Sequence, residues 1–562
     1  MAAQRKADRV IETDVLVMGG GLGGCPAACK AAEHGLSVTI VEKADTERSG
    51  ACAMGRDEIQ PFTREGVTAL ELVRRMRTSR GELGKLQDPN MLYKIVDNSM
   101  WTLEELERLG ISMRYLNGEY HWTNFMSFGT EAKLSLQVPW LNVKPEMAAA
   151  VRKRGVNVLD RTMVLDLLTN NGRAVGATAV NTRTGEFIVI KAKAVVIAAG
   201  KYLRHCNPNT PTWKYKMAYD MHPSSGDGQA AAYRAGSDIS SMELMISDGY
   251  PDELCLRTCH FNEEGLDSKI INSIGEEVGK GLIYKGPLEY MELERKGLAP
   301  FYRSLEDVTD DFHKRIEIAI VNERLVQFKF AEDRGFNPRT HRYEMSALKH
   351  TTNRDRAVGI NVDENFKCTL PGVYALGDCA AGFWSGLAAI TGGLLIGDSI
   401  DEYVSMAGEP VVDEAQVENQ KQAALAPQKV KDGVEPMELE GAIRYICDEY
   451  AGVLKSEGRL REGLKRLGSL KRVFLPRLMA PNPHYLMRCL EVRNIVDLVE
   501  VYFQACLARK ETRGWYIRLD YPDKDPLMDN KRICQRMEKG KAVLEIEDVP
   551  ALKPEYALEE KK

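Results

Sequence analysis

The feature that most constrains the fold is one local succession: an apolar run at 14–18, a glycine-rich turn, an alanine-rich stretch at 25–34 and a second apolar run at 37–42. A strand, a helix and a strand are predicted in that order. Gly19, Gly21 and Gly24 stand in the turn as G-x-G-x-x-G. The first permits a tight turn, the second lets a pyrophosphate approach the backbone, and the third lets helix and strand close on each other. Leu22 lies in the same turn and is expected on the cofactor side. The helix start adds unpaired N–H donors and a favourable dipole. Glu42 ends the second strand 18 residues after Gly24, where a carboxylate accepts hydrogen bonds from ribose hydroxyls. Gly35 falls where a left-handed cap would end the helix, and Pro26 lies early enough not to break it. These signals agree on a dinucleotide site.

NAD and FAD share that fingerprint, and two later segments decide for FAD. Residues 194–200 (AVVIAAG) form an apolar strand ending in small residues, with Ala199 and Gly200 expected where a second chain segment passes close to the dinucleotide. Residues 374–379 (YALGDC) form a strand that places Gly377 and Asp378 at a turn before a helix. A carboxylate there suits the ribityl chain, and the helix start at 386–393, with Leu387, suits negative charge at the flavin N1/O2 edge.

With 562 residues the chain exceeds what one core organises, so several domains are expected around one site. The boundaries read as an FAD-binding domain over 8–205, a capping domain over 206–341, a return to the FAD-binding domain over 342–405, and a helical C-terminal domain over 415–562. The fold class is therefore α/β, a Rossmann-type FAD-binding domain with an inserted α+β cap and a helical C-terminal part. The 81 acidic residues against 76 basic ones leave no basic surplus for nucleic acid or an anionic membrane. The first residues carry no secretory pattern and no apolar run reaches membrane-spanning length, so a cytoplasmic location without membrane insertion is expected. The 12 cysteines read as reduced thiols, with no metal site in this chain.

Residues 41–55 (VEKADTERSGACAMG), 224–236 (SSGDGQAAAYRAG), 370–379 (LPGVYALGDC) and 511–525 (ETRGWYIRLDYPDKD) occur in an order that resembles the flavoprotein subunits of the fumarate reductase and succinate dehydrogenase superfamily. The run Glu47–Ala51, the segment 297–309 and the C-terminal region are most like adenylylsulfate reductase alpha subunits. The resemblance implies FAD contacts from Lys43, Ser49, Gly50, Ala51 and Asp227, with Cys52 and Cys379 lining the cofactor. Members with a covalent flavin place a histidine after the Arg-Ser pair. Gly50 follows Arg48 and Ser49 here, so noncovalent FAD is expected.

The same resemblance implies a substrate-side role for His350 and a site contact for His222. Lys285, Arg303, Arg354 and Arg356 are the cationic candidates for an anion pocket. Dicarboxylate-specific members grip a carboxylate with an arginine soon after the turn that Gly377–Cys379 matches, and residues 380–393 contain none. Fumarate and succinate are thereby disfavoured. Arg513 and Arg518 match a segment expected to tie the domains together. The implied activity passes electrons between a small anionic substrate and a ferredoxin-like iron-sulfur subunit in a hetero-oligomer. Two alternatives stay open: a self-contained ene-reductase or dehydrogenase of an unsaturated acid, thioester or ketone, and an electron-transfer subunit of a larger complex.

Overall fold

A computed structural model describes residues 7–205 except 54 and 125–127, then 224–245, 269–280, 287–345 except 311–312, 315–316, 318–328, 330–331 and 338, then 357–382 and 385–558. In chain order, β1 (Arg9–Met18), α1 (Gly24–Glu33) and β2 (Val38–Val41) form the expected unit. A small sheet of β3 (Arg56–Ile59), β4 (His121–Thr123) and β5 (Ser135–Trp140) follows, then α2 (Val143–Lys153). Strands β6 (Asn157–Leu159), β7 (Thr162–Asn170), β8 (Arg173–Asn181) and β9 (Phe187–Ile197) complete the first segment. Next come α3 (Asp227–Arg234) and β10 (Ile239–Ser240). A separate four-stranded sheet is formed by β11 (Lys269–Ile271), β12 (Glu277–Lys280), β13 (Tyr302–Ser304) and β14 (Arg342–Glu344). The chain then returns through β15 (Gly359–Ile360), β16 (Val373–Ala375) and α4 (Gly386–Met406).

The main sheet runs β6-β2-β1-β9-β8-β7, with β16 also pairing to β9. Its β6, β2, β1, β9 and β16 are parallel, while β7 and β8 continue it antiparallel. The parallel strands are nearly continuous apolar runs because both faces are covered; Val15, Leu16, Val17, Val196 and Ile197 have no exposed surface. Register sets Met18 opposite Ile197 and Val41 opposite Leu159, so the chain leaves the sheet at a common edge. Helix α4 lies directly on α1. A Cβ added at Gly393 would stand 2.3 Å from the Gly23 carbonyl oxygen, so the small residue sets that spacing.

The C-terminal part packs α5 (Pro436–Ala451), α6 (Glu457–Val473) and α7 (Pro483–Ala508) together. It closes with an antiparallel hairpin, Lys531–Glu538 and Lys541–Asp548. That hairpin adds strands to the helical C-terminal part, and it forms a four-stranded sheet with β10 and β15. Residues 224–245 fall inside the range expected for the cap. In the structure α3 packs on β7 and α7, and β10 pairs with the C-terminal hairpin. Their sequence position between cap-like segments concealed this, because strand pairing at such distance leaves no local signal. Arg513 does join distant parts, reaching Glu82 at 2.9 Å. Arg518 instead closes a local turn, donating to the carbonyls of Cys506 and Arg509. Among the described residues no helix is long and apolar enough to cross a membrane.

Candidate functional site

The C-terminal ends of β1, β2, β9 and β16 open onto one cavity, the position where parallel α/β sheets bind ligands. Gly19, Gly21 and Leu22 form one wall, and Glu42 and Lys43 stand beside them. Gly24 does not line the cavity. It lies beneath the turn, where a Cβ would stand 1.9 Å from the Gly19 carbonyl oxygen, which is the close helix-strand packing expected of that glycine. Over Gly21 the nearest atom to an added Cβ is 4.0 Å away, leaving room for a ligand against the backbone. The Glu42 carboxylate accepts from the N–H of Gly20 at 2.9 Å and of Ala44 at 2.8 Å. Two backbone donors thus fix its orientation, and each carboxylate oxygen keeps acceptor capacity for a sugar hydroxyl.

The rest of the cavity wall is built from segments remote in sequence. Ser49, Gly50, Ala51, Cys52, Ala199, Gly200, Gly377, Asp378, Ser385 and Gly386 all line it. Ser385 caps α4, accepting the Ala388 N–H at 3.3 Å and donating to the Gln60 carbonyl at 2.5 Å. Asp378 lies 3.8 Å from the Lys201 ammonium. Cys379 is turned away, donating to the Ile197 and Leu376 carbonyls, and burial pushes its thiol up to about 12. It is a packed thiol and does not line the cavity. Leu387 also departs from expectation: it is buried in the core. Successive helical residues turn through about 100°, so Gly386 and Ala389 face the cavity and Leu387 faces inward.

Lys43 and Asp227 line the same cavity and continue into a buried ion network. The Lys43 ammonium lies 2.6 Å from Asp227 and 2.9 Å from Glu491 of α7. Arg204 reaches Glu491 at 2.6 Å, and Arg488 reaches Glu491 at 2.9 Å and Glu440 of α5 at 3.2 Å. Burial presses the Lys43 pKa down, but Asp227 and Glu491 outweigh it and hold the ammonium above its ordinary range. Burial likewise penalises the Glu491 carboxylate, yet Arg204, Lys43 and Arg488 keep it well below its ordinary value. Lys43 is therefore a strut between the cavity wall and the C-terminal helices.

Two basic residues in this wall carried no sequence signal. Lys144, in the first turn of α2, is buried and donates to the Gly20 carbonyl, placing an ammonium at the glycine turn. Arg56 opens β3 and also lines the cavity, beside the start of α4, where a Cβ added at Gly386 would stand 3.9 Å from its Nε. Arg303 is fully buried on β13 between Ile270 and Tyr343, where burial pulls its pKa down to about 9; it is absent from the described cavity wall. His350, His222, Lys285, Arg354 and Arg356 lie outside the described residues. Among the described residues no three His, Cys, Asp or Glu converge as metal ligands.

The cavity suits FAD on its own chemistry. It offers a backbone opening over Gly21, an ammonium at the glycine turn, an oriented carboxylate at Glu42 and a buried Ser49 hydroxyl with no protein partner. The FAD binding domain model matches residues 14–247, and the fumarate reductase flavoprotein C-terminal model matches 441–561. Together these take in more than half of the chain. The chain belongs to the flavoprotein superfamily of fumarate reductase and succinate dehydrogenase. This flavoprotein is an FAD-dependent oxidoreductase.

Distant relatives of nearly the same length are similar to it over most of the chain. It is 24% identical to the fumarate reductase flavoprotein subunit of Haemophilus influenzae, covering 92% of this chain and 90% of that one. An L-aspartate oxidase of Streptomyces coelicolor is 22% identical, covering 97% and 95%. The structure of adenylylsulfate reductase from Archaeoglobus fulgidus superposes with a TM-score of 0.80 at 22% identity, over 98% of this chain and 99% of that one. That likeness shows a shared fold.

Proposed function

We propose that this flavoprotein exchanges electrons between a small anionic substrate and an iron-sulfur partner, in the manner of an adenylylsulfate reductase alpha subunit. FAD, bound without a covalent link beside Gly50, supplies the hydride and electron chemistry that side chains lack. The chain itself would grip the dinucleotide at the glycine turn and orient the ribose through Glu42, with the α4 start and Arg56 also in the cavity wall.

The observation that carries the substrate reading is the stretch 380–393. It follows a complete FAD-binding turn and holds no arginine to fork onto a dicarboxylate. The partner reading draws support from the Haemophilus influenzae relative, which is itself one subunit of its enzyme.

Anaerobic reoxidation of the chemically reduced holoprotein tests both parts. Adenylylsulfate is expected to reoxidise the flavin at least about tenfold faster than fumarate, and a native pull-down is expected to recover an iron-sulfur chain. Faster reoxidation by fumarate, or steady oxidation of L-aspartate by dioxygen without a partner, would overturn the proposal.

A further inference from the structure

A second cavity, of about 380 Å³, shares only Lys43 and Ala44 with the flavin cavity. Its volume lies at the small end of what small-molecule sites occupy. Segments remote in sequence close it. The turn before β7 supplies Arg161 and the β8–β9 turn supplies Arg183. The first turn of α5 brings Met437, and the start of α7 brings His484, Met487 and Arg488.

Backbone bonds bring the two arginines to one place. The Arg161 N–H donates to the Ala44 carbonyl at 2.8 Å, and the Arg161 carbonyl accepts the Thr182 N–H at 2.6 Å. One residue on, the N–H groups of Arg183 and Thr184 both donate to the Asn181 side-chain oxygen at 2.9 Å, which fixes the turn. That turn is seated on the start of α7, since a Cβ added at Gly185 would stand 3.5 Å from Pro483 Cγ.

The charge in this wall is mostly positive. Glu491 is its one carboxylate, and Lys43, Arg204 and Arg488 hold that group at 2.9, 2.6 and 2.9 Å, which offsets its repulsion of an anion. Arg161 lies 3.4 Å from Asp45. Among the described residues the side chains of Arg183 and His484 make no hydrogen bond or ion pair, and both are exposed. We propose that this cavity is a second ligand site, for an organic phosphate of nucleotide size, with Arg161 and Arg183 on the phosphate and Met437 and Met487 against the base.

The chemistry matches that ligand. Guanidinium forks fit phosphate oxygens in pairs, and the α7 start adds its N–H groups and dipole to the same side. Thioethers are adaptable apolar surface that packs well on aromatic rings. The flavin cavity keeps Glu42, Thr162 and Asp227 to itself, so FAD and the second ligand have separate walls apart from Lys43 and Ala44.

The test is calorimetric titration of the full-length FAD holoprotein, in phosphate-free buffer, with GMP, which lacks the adenine of FAD and of adenylylsulfate. GMP is expected to bind one site per chain with FAD retained, and guanosine to bind at least about tenfold more weakly for want of the phosphate. Arg183→Gln alters an exposed side chain outside the flavin cavity, so it is expected to hold FAD as the wild type does and yet to weaken GMP about tenfold. Arg161→Gln is expected to weaken it similarly. Absence of binding at millimolar GMP, guanosine binding as tightly as GMP, or an unchanged affinity in Arg183→Gln would each overturn the proposal. So would GMP binding that saturating FAD abolishes, because the nucleotide would then be occupying part of the flavin cavity.

Discussion

The glycine turn shows how one absent methyl group serves two purposes. At Gly24 an added Cβ would meet the Gly19 carbonyl at 1.9 Å, and Gly19 itself has φ of +103°. Neither backbone atom can retreat without moving the turn that faces the cavity. Gly24→Ala is therefore expected to cost about 1–3 kcal/mol, typical of overpacking, and to lose FAD at purification. Gly35 makes the contrasting control, because its φ of +82° disfavours a side chain while nothing lies within 4 Å of an added Cβ. Gly35→Ala should lower the melting temperature and retain FAD. If Gly24→Ala retains stoichiometric FAD, judged by the ratio of visible to protein absorbance, the turn is not the cofactor's seat. At this scale much was legible in the sequence. The contacts of Gly19, Gly21, Leu22 and Glu42 are local, and local spacing encodes them. Lys144 and Arg56 were not legible, since each reaches the cavity only once α2 and β3 are packed in place.

At the scale of elements, the joint between the nucleotide sheet and the C-terminal helices is an ion network. Glu491 on α7 contacts Lys43, Arg204 and Arg488, and Glu440 on α5 contacts Arg204 and Arg488. Both carboxylates are buried, which disfavours their charge, yet the surrounding cations hold both pKa values below the ordinary 4.5. A depressed folded pKa contributes stability that is fully present above the unfolded value and is lost as pH falls through the folded one. Glu491→Gln leaves three buried cations short of a counter-charge, a loss of about 3–5 kcal/mol at neutral pH. The wild-type advantage in melting temperature should hold down to about pH 5 and shrink below the ordinary carboxylate range. A gap that does not narrow on acidification would show that Glu491 acts through packing and not through charge. The sequence predicted helices here but not their partners, because pairs such as Lys43 and Glu491 are separated by 448 positions.

At the scale of the molecule, the cavity wall and the packing against the C-terminal helices share residues. Lys43 and Asp227 face the cavity, while the same Lys43 ammonium reaches Glu491 and the same Asp227 carboxylate accepts from Asn494 at 2.8 Å. Strand-helix-strand order was readable at the start of the chain. The folding of 224–245 onto the C-terminal part was not, since it depends on β10 pairing with a strand that begins at Lys531. A ligand that orders Lys43 and Asp227 should therefore stabilise α7 as well as the glycine turn. By mass action, FAD at 100 times its dissociation constant adds about 2.7 kcal/mol to any unit whose unfolding releases it. Hydrogen exchange with and without FAD is expected to show added protection in both Gly24–Glu33 and Pro483–Ala508, and thermal unfolding of the holoprotein to shift as one transition. Two transitions, with only the one containing the glycine turn responding to FAD, would mean that the ion network joins the parts without coupling them. The cofactor site would then belong to the main sheet and its flanking helices alone.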